Sequence, residues 1–360
     1  MPALCVLTGI MPVPADSQPA LDNHWYPALD PFYSGMLDTG EGHQIYHEQC
    51  GNPNGQPVVV LHGGPASGCS PLQRRFFDPA AFRIVLFDQR GCGRSTPRGG
   101  LADNDTAALI RDIEQLRRLL QIERWIVFGG SWGASLAIAY AAVHGGACQG
   151  LILRGIFLTG KRDLDWFFGG AGTLLPAAWC QLVERLGLDV GIDDCEDAGQ
   201  EVRAALTRHL FSDSSEVAAS AASAWAAWED AVSRPGQAVT AGGRTQGADT
   251  PDAGTQATSP PPQPILVDKY RVQAHYLARE CFLGENYLLQ QAAQLSSVPV
   301  ELVHGRLDWV CRPVNAWQTH LAIPASSLTW VDHGGHSPYD PPMQVALAAA
   351  VRRIQDSIAR

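Results

Sequence analysis

The sequence lacks the features of several protein classes. No apolar run approaches the roughly 20 residues that span a membrane, and the start lacks the basic residues and cleavage site of a signal peptide. There is no basic stripe and the net charge is −10, so no nucleic-acid partner is expected. The nine cysteines form no C-x-x-C pair and no regular spacing, which favours free thiols and a cytoplasmic location.

What is present is an alternation of predicted strands and helices. Continuous apolar runs, typical of strands covered on both faces, occur at 57–62, 83–88, 125–128, 150–154, 300–304 and 328–331. Helical periodicity covers 109–120, with Asn104 or Asp105 as the N-cap, and 343–358. The pattern predicts an α/β fold with a mostly parallel central sheet.

The domain organisation follows from changes in composition along the chain. We expect a flexible leader at 1–29, a sheet domain whose two parts are 30–154 and 296–360, and an inserted helical cap at 155–295. Within the cap, residues 234–264 are rich in Gly, Pro, Ser and Thr and hold few large apolar side chains. We expect this segment to be a disordered surface excursion, because it buries too little surface to offset its ordering entropy.

The most informative segment is a serine between glycines, Ser131, in the order GGSWG over 129–133. An apolar run leads into it and a helix-forming run follows it. This context is that of a nucleophile elbow, where Gly129 and Gly133 leave room for a very tight turn. The segment predicts a serine nucleophile, and the alternative interpretation is an ordinary glycine-rich turn.

An activated serine needs a base and an orienting acid, and two later loops offer them. Asp308 follows the fifth predicted strand and His336 follows the sixth. Ser131, Asp308 and His336 therefore occur in the chain order of an α/β-hydrolase triad, each directly after a strand. Asp332 and His333 are rivals in the second loop, and spacing alone excludes neither.

An oxyanion formed during attack on a carbonyl needs backbone N–H donors. The helix after the nucleophile points its amide end, beginning with Trp132, toward the serine. The loop 62–65, of sequence HGGP, follows the first apolar strand, and Gly64 brings its amide close without a side chain in the way. We expect Trp132 and Gly64 to form an oxyanion hole, and His62 to be structural.

Five segments together resemble the proline iminopeptidase (prolyl aminopeptidase) family. They are 62–65 (HGGP), 88–95 (DQRGCGRS), 129–133 (GGSWG), 305–308 (GRLD) and 335–337 (GHS). The likeness runs from about residue 30 to the C-terminus, apart from the low-complexity segment. It implies an α/β-hydrolase fold and a serine exopeptidase that releases N-terminal proline from small peptides or prolyl amides, without metal or organic cofactor. The DQRGCGRS loop is expected to be a rigid support rather than part of the chemistry.

The resemblance also implies a subsite for the protonated substrate amine, which the family builds from glutamates in the cap. Glu229, at the end of WAAWE, is similar to one of them, whereas Gln273 takes the place of a second, so half of the charged clamp is missing. Arg154 and Phe157 resemble family residues near the substrate at the entry to the cap. Cys311 is expected near the site.

Two other functions stay open on the sequence. Gln273 favours an esterase or amidase for small acyl groups as one alternative. A binding or scaffold protein with the same fold and no catalysis is the other. The sequence does not predict the oligomeric state.

Overall fold

The computed structural model describes residues 25–234, 263–295 and 297–359. The strands are β1 (Tyr33–Asp38), β2 (Gln44–Gly51), β3 (Gln56–Leu61), β4 (Phe82–Phe87), β5 (Trp125–Gly130), β6 (Cys148–Arg154), β7 (Val300–Gly305) and β8 (Ser327–Val331). They form one sheet in the order β1-β2-β4-β3-β5-β6-β7-β8. Strand β2 pairs antiparallel with β1 and β4, and all other pairs are parallel. The mostly parallel sheet predicted from the sequence is confirmed.

The helices are α1 (Thr106–Leu119), α2 (Trp132–His144), α3 (Lys161–Phe168), α4 (Pro176–Arg185), α5 (Gly199–Leu210), α6 (Ser215–Ser233), α7 (Gln263–Leu277), α8 (Tyr287–Ala292), α9 (Pro313–Ala322) and α10 (Pro341–Ile358). Asp105 rather than Asn104 caps α1, because its carboxylate accepts the Ala108 N–H at 2.7 Å. In the described part of the chain, no helix combines the length and apolar character that crossing a membrane requires.

The sheet is covered on both faces, which explains its continuous apolar strands. On β3, Val59 and Leu61 join the cluster formed with α1 and α2, whereas Val58 and Val60 join the one formed with α10. All four side chains are at most 1% exposed. The predicted runs that form β3 to β7 are largely buried on both faces, whereas the run that forms β8, at the end of the strand order, is only partly buried.

Two strands, β1 and β2, carried no such apolar run and were missed. Strand β1 lies at the sheet edge and is mostly exposed. Strand β2 buries His47, Glu48 and Gln49, which an apolar pattern does not reveal. Glu48 is stabilised there by ion pairs with Arg74 and Arg94, at 2.7 and 3.1 Å.

Six helices, α3 to α8, lie between β6 and β7, where the sequence predicts the cap at 155–295. Helices α4 to α7 pack on one another, with Trp225 stacked on Tyr270 at a centroid distance of 5.1 Å. Helix α8 instead contacts α2 and α9. The last part of the predicted cap therefore lies beside the sheet, in the same layer as α2.

The leader predicted at 1–29 is described only from residue 25 onward. There Trp25 packs its ring against those of Phe76 and Tyr339, at centroid distances of 5.7 Å. A ring held between two others on the sheet domain is not part of a flexible leader, so that prediction is wrong for residues 25–29.

Most of the excursion predicted at 234–264 lies outside the described residues, at 235–262. Arg234 is the C-cap of α6, and α7 already begins at residue 263. The predicted segment therefore overlaps the cap helices at both of its ends.

Candidate active site

The Ser131 segment forms the sharp turn expected between β5 and α2. Ser131 has φ +57° and ψ −126°, a conformation that is uncommon for a residue with a side chain. A Cβ on Gly129 would overlap the carbonyl oxygen of Gly133, and a Cβ on Gly133 would overlap that of Leu61 in β3. Close backbone packing therefore requires both glycines, and it holds the Ser131 side chain at the carboxyl end of β5.

Asp308 and His336 meet on the same side of the sheet as Ser131, at the carboxyl ends of β7 and β8 respectively. His336 Nδ1 lies 2.9 and 3.0 Å from the two carboxylate oxygens of Asp308, which is fully buried. The backbone amides of Val310 and Cys311 donate to Asp308 Oδ1 at 3.0 and 2.8 Å. Burial raises the pKa of Asp308, but His336, His304 and the Cys311 amide outweigh it and hold that pKa below its usual value. Asp308 is therefore an ionised partner for the His336 ring.

Ser131 lines the same cavity as His336, but no hydrogen bond joins the two side chains. The polar neighbour of Ser131 Oγ is the sulfur of Cys311, at 3.9 Å. Hydrogen bonds between a nucleophile and its base are often long until substrate is bound. The structure thus joins the acid to the histidine and places the serine beside them.

Arg154 lies under this group. Its Nη1 donates to the His336 carbonyl oxygen at 2.8 Å and lies 3.5 Å from both ring nitrogens. The guanidinium is buried beneath Gly130. A Cβ at position 130 would displace the guanidinium. Arg154 lines the cavity as expected for a substrate contact, but its short hydrogen bond supports the His336 loop.

The loop expected to supply an oxyanion donor packs against the nucleophile. A Cβ on Gly63 would lie 3.3 Å from Ser131 Cβ, and Gly64, with φ +115°, lines the cavity. Trp132 is the first residue of α2, so its amide has no intrahelical acceptor. Its indole donates to Gln89 Oε1 at 2.9 Å, which fixes the start of the helix. Gly64 thus lines the cavity that contains Ser131, and Trp132 follows Ser131 at the start of α2; their role as oxyanion donors stays a prediction.

His62 is bound within the core. Its Nδ1 lies 2.9 Å from the Gly63 carbonyl oxygen, and its Nε2 accepts the Gln89 N–H at 3.0 Å. Burial lowers the pKa of His62, so the ring is neutral. Its contacts are those of a structural residue.

The DQRGCGRS loop is held by its own acid. Asp88 accepts the backbone N–H of Arg94 and of Cys69, at 2.8 and 2.7 Å, and the Arg94 guanidinium at 2.8 Å. Because Cys69 follows the HGGP loop, Asp88 ties together two loops near the cavity.

The rivals in the β8 loop lie elsewhere. Asp332 and His333 are both exposed, and Asp332 pairs with Arg306 at 2.6 Å on the surface. Neither lines the cavity. The geometry therefore favours His336 and Asp308 over both.

The serine opens into a cavity of about 690 Å³ between the sheet edge and the cap. Its lining includes Phe157, Leu164, Phe167, Phe168, Leu266 and Leu277 as apolar walls. The predicted residues Arg154, Phe157, Glu229 and Gln273 all line it together with Ser131 and His336. One side of the cavity thus holds the candidate catalytic groups and the cap supplies the other.

The Glu229 carboxylate accepts hydrogen bonds from three side chains of the cap. Its Oε2 accepts from Lys269 Nζ at 2.9 Å and from the Tyr270 hydroxyl at 2.8 Å, and its Oε1 accepts from Gln273 Nε2 at 3.2 Å. Burial raises the pKa of Glu229, but these donors outweigh it and keep the pKa below its usual value. Sequence reasoning missed Lys269 and Tyr270, although Lys269 is four residues before Gln273 and so shares its helix face.

Asp308, Cys311 and His336 are the one set of three potential metal ligands found within the described ranges, with ligand atoms inside 4.8 Å of one another. Two of them already share a hydrogen bond. Burial raises the pKa of the Cys311 thiol well above its usual value, which disfavours the thiolate that a metal would bind. These residues fit an acid–histidine pair better than a metal centre.

Comparisons with known proteins agree with this architecture. Residues 56–341 match the family described as alpha/beta hydrolase fold. A probable proline iminopeptidase of Leptolyngbya boryana is 41% identical over 330 residues, covering 91% of this chain and 96% of that protein. A proline iminopeptidase of Arabidopsis thaliana is 37% identical over 339 residues, covering 92% and 82%.

Among solved structures, a proline iminopeptidase of Mycobacterium smegmatis superposes with a TM-score of 0.56 at 17% identity, over 91% of this chain and 99% of that one. At this identity the likeness concerns the fold. The two close sequence relatives extend over nearly the whole chain, including the cap. The chain therefore belongs to the proline iminopeptidase family of α/β-hydrolase-fold proteins.

Proposed function

We propose that the protein is a serine aminopeptidase that releases an N-terminal proline from peptides and small prolyl amides. The observation that carries this proposal is the His336–Asp308 pair, at 2.9 Å, beside a serine on a glycine-flanked elbow. The relatives named proline iminopeptidases support the substrate class. A cytoplasmic location stays a prediction of the sequence.

The chemistry divides into acylation and deacylation. His336 accepts the proton of Ser131 as its oxygen attacks the prolyl carbonyl carbon, and then gives that proton to the departing amine. Asp308 fixes the tautomer of His336 and stabilises the imidazolium without becoming protonated itself. Water then attacks the prolyl ester with His336 again acting as base, which releases proline and restores Ser131.

The tetrahedral intermediates carry a negative oxygen, and we propose that the amides of Trp132 and Gly64 bind it. Each such donor lowers the barrier by about 3 kcal/mol in other oxyanion holes. Glycine at position 64 is needed for this role, because a side chain there would meet the backbone of Ala66 and Ser67.

Glu229 is proposed to bind the substrate amine, since it lies in the cap wall of the cavity that contains Ser131. Phe157 and the neighbouring aromatic rings supply the apolar wall for the proline ring. Gln273 bonds to Glu229 and thereby orients its carboxylate.

Amine recognition is tested by comparing L-proline 4-nitroanilide with its N-acetyl counterpart. We expect kcat/KM to be at least about 100-fold higher for the free amine, because the acetyl group removes the N–H donors and adds bulk against Glu229. Glu229→Gln should lower kcat/KM for the free amine about tenfold or more, because it leaves the Lys269 ammonium uncompensated beside the substrate amine, and should leave slow turnover of the acetylated compound unchanged. Equal rates of the wild type on both compounds would contradict amine recognition while leaving a serine hydrolase.

A second candidate, an esterase or amidase for small acyl groups, is favoured by the neutral Gln273 and by the cation beside Glu229. The variant Gln273→Glu separates the two. Under the aminopeptidase proposal it improves KM for free-amine substrates, whereas under the esterase alternative it leaves ester turnover unchanged and gives no preference for amines.

A further inference from the structure

The amine subsite contains its own ammonium group. Lys269 Nζ lies 2.9 Å from Glu229 Oε2 and 4.6 Å from the ring centroid of Tyr270, and both side chains of the ion pair are 27% exposed. A substrate amine that approaches Glu229 meets a carboxylate whose charge is already compensated. Either the substrate displaces Lys269 or it binds beside a second cation, and both reduce the advantage of a charged amine.

The other described residues that line the cavity do not add an excess of negative charge. Among the described lining residues, the Asp and Glu side chains are Glu229 and Asp230, and the Lys and Arg side chains are Arg154, Arg234 and Lys269. Asp230 is also paired, with Arg234 at 3.3 Å. Attraction between opposite charges is therefore a weak basis for selecting the acyl group here.

The subsite does offer hydrogen-bond acceptors. Gln273 is 3% exposed, and its Oε1 has no hydrogen-bond partner in the described structure, while its Nε2 donates to Glu229 Oε1. A buried acceptor without a donor is costly unless a ligand supplies one. An uncharged N–H group can donate to Gln273 Oε1, and with Lys269 already paired to Glu229 an ammonium gains less from its charge.

We propose that Lys269 is a specificity-determining residue. Because it neutralises Glu229, the subsite accepts not only the protonated prolyl group but also uncharged cyclic acyl groups with a ring N–H. The closest analogue of this kind is the 5-oxoprolyl group. This proposal rests on the serine chemistry of the proposed function and concerns the acyl subsite alone.

The added reaction follows the same bond changes. Ser131 Oγ forms an ester with the 5-oxoprolyl carbonyl carbon as the C–N bond to the leaving amine breaks, and the serine proton passes through His336 to that amine. Water then cleaves the ester, which gives 5-oxoproline and free Ser131. The ring lactam is unchanged throughout, and its N–H donates to Gln273 Oε1.

The test compares kcat/KM for L-prolyl and 5-oxo-L-prolyl 4-nitroanilides in the wild-type full chain and in Lys269→Met. We expect the wild-type values to lie within about tenfold of each other. Lys269→Met exposes the Glu229 charge and should raise the prolyl to 5-oxoprolyl ratio about tenfold or more, chiefly through a lower KM for the prolyl compound.

The chain offers a matched control, because Lys161 is its only other lysine. Lys161 pairs with Asp165 on the exposed side of α3 and does not line the cavity. Lys161→Met should keep the wild-type ratio, and so should Lys269→Arg, which retains the charge. If Lys269→Met does not fold, Lys269→Gln removes the charge and keeps a donor to Glu229, and it carries the same expectation.

An unchanged ratio in a folded charge-removing variant would overturn the proposal, as would a wild type that hydrolyses the prolyl compound and not the 5-oxoprolyl one. Calorimetric binding of L-prolinamide and 5-oxo-L-prolinamide to Ser131→Ala distinguishes a failure of the Lys269 proposal from a failure of the proposed serine chemistry. There too, Lys269→Met should shift relative affinity toward L-prolinamide about tenfold. An absence of Ser131-dependent hydrolysis with this shift intact would remove the peptidase proposal but not the role of Lys269.

Discussion

Replacing Ser131 by alanine is expected to lower kcat on L-proline 4-nitroanilide by about 10⁴-fold or more, because no other side chain takes over the covalent step. Alanine adopts the same φ of +57° at no greater steric cost than serine, so the elbow and the cavity remain. Binding of L-proline, the released product, to the variant, measured by calorimetry, should match that to the wild type.

Steady-state turnover with purified protein checks this expectation, with circular dichroism to show that the fold is kept. Cys311 is the informative control, because its sulfur lies 3.9 Å from the serine oxygen. Cys311→Ser should keep most of the activity. A loss in Cys311→Ser as large as that in Ser131→Ala, or more than 1% residual activity in Ser131→Ala, would contradict the proposed nucleophile.

Asp308→Asn is expected to lower kcat by about 10⁴-fold, in line with the same change in other serine hydrolase triads. The asparagine oxygen can keep the bonds from the Val310 and Cys311 amides, so the loop stays folded. The asparagine NH₂ favours the wrong tautomer of His336, which then cannot accept the proton of Ser131.

The matched control for this variant is Asp332→Asn in the β8 loop. Asp332 is exposed and paired with Arg306, so kcat should stay within about twofold of wild type. Equal losses in the two variants, or less than a tenfold loss in Asp308→Asn, would contradict the proposed role of Asp308.

The strands of the sheet could be predicted wherever the local sequence is a continuous apolar run. Val58 to Leu61 are apolar without interruption because both faces are covered, and this pattern located β3 within one residue. Strand β2 has no such pattern, because its buried Glu48 is compensated by Arg74 and Arg94, which lie 26 and 46 residues away in the sequence. Ion pairs of that separation depend on the finished fold.

Some residues of the candidate site could likewise be predicted from local sequence, whereas the long-range contacts of the site could not. Ser131, Asp308 and His336 each follow a strand, so local sequence predicts their position at one sheet edge. The hydrogen bond from Arg154 to His336 joins residues 182 positions apart. The Lys269–Glu229 pair joins α6 to α7 across 40 positions. Such contacts depend on how helices and loops pack, which explains why the family resemblance pointed to Glu229 but the sequence did not reveal its partner.

Activation of Ser131 for covalent attack by His336 and Asp308 is tested most directly by trapping the nucleophile. The full chain is treated with a fluorophosphonate and its peptides are analysed by mass spectrometry. We predict a single modification, on Ser131, formed quickly in the wild type and at least about 100-fold more slowly in His336→Ala, with Asp332→Asn unchanged. Modification of a different residue, or labelling of Ser131 at the same rate in His336→Ala, would contradict the account.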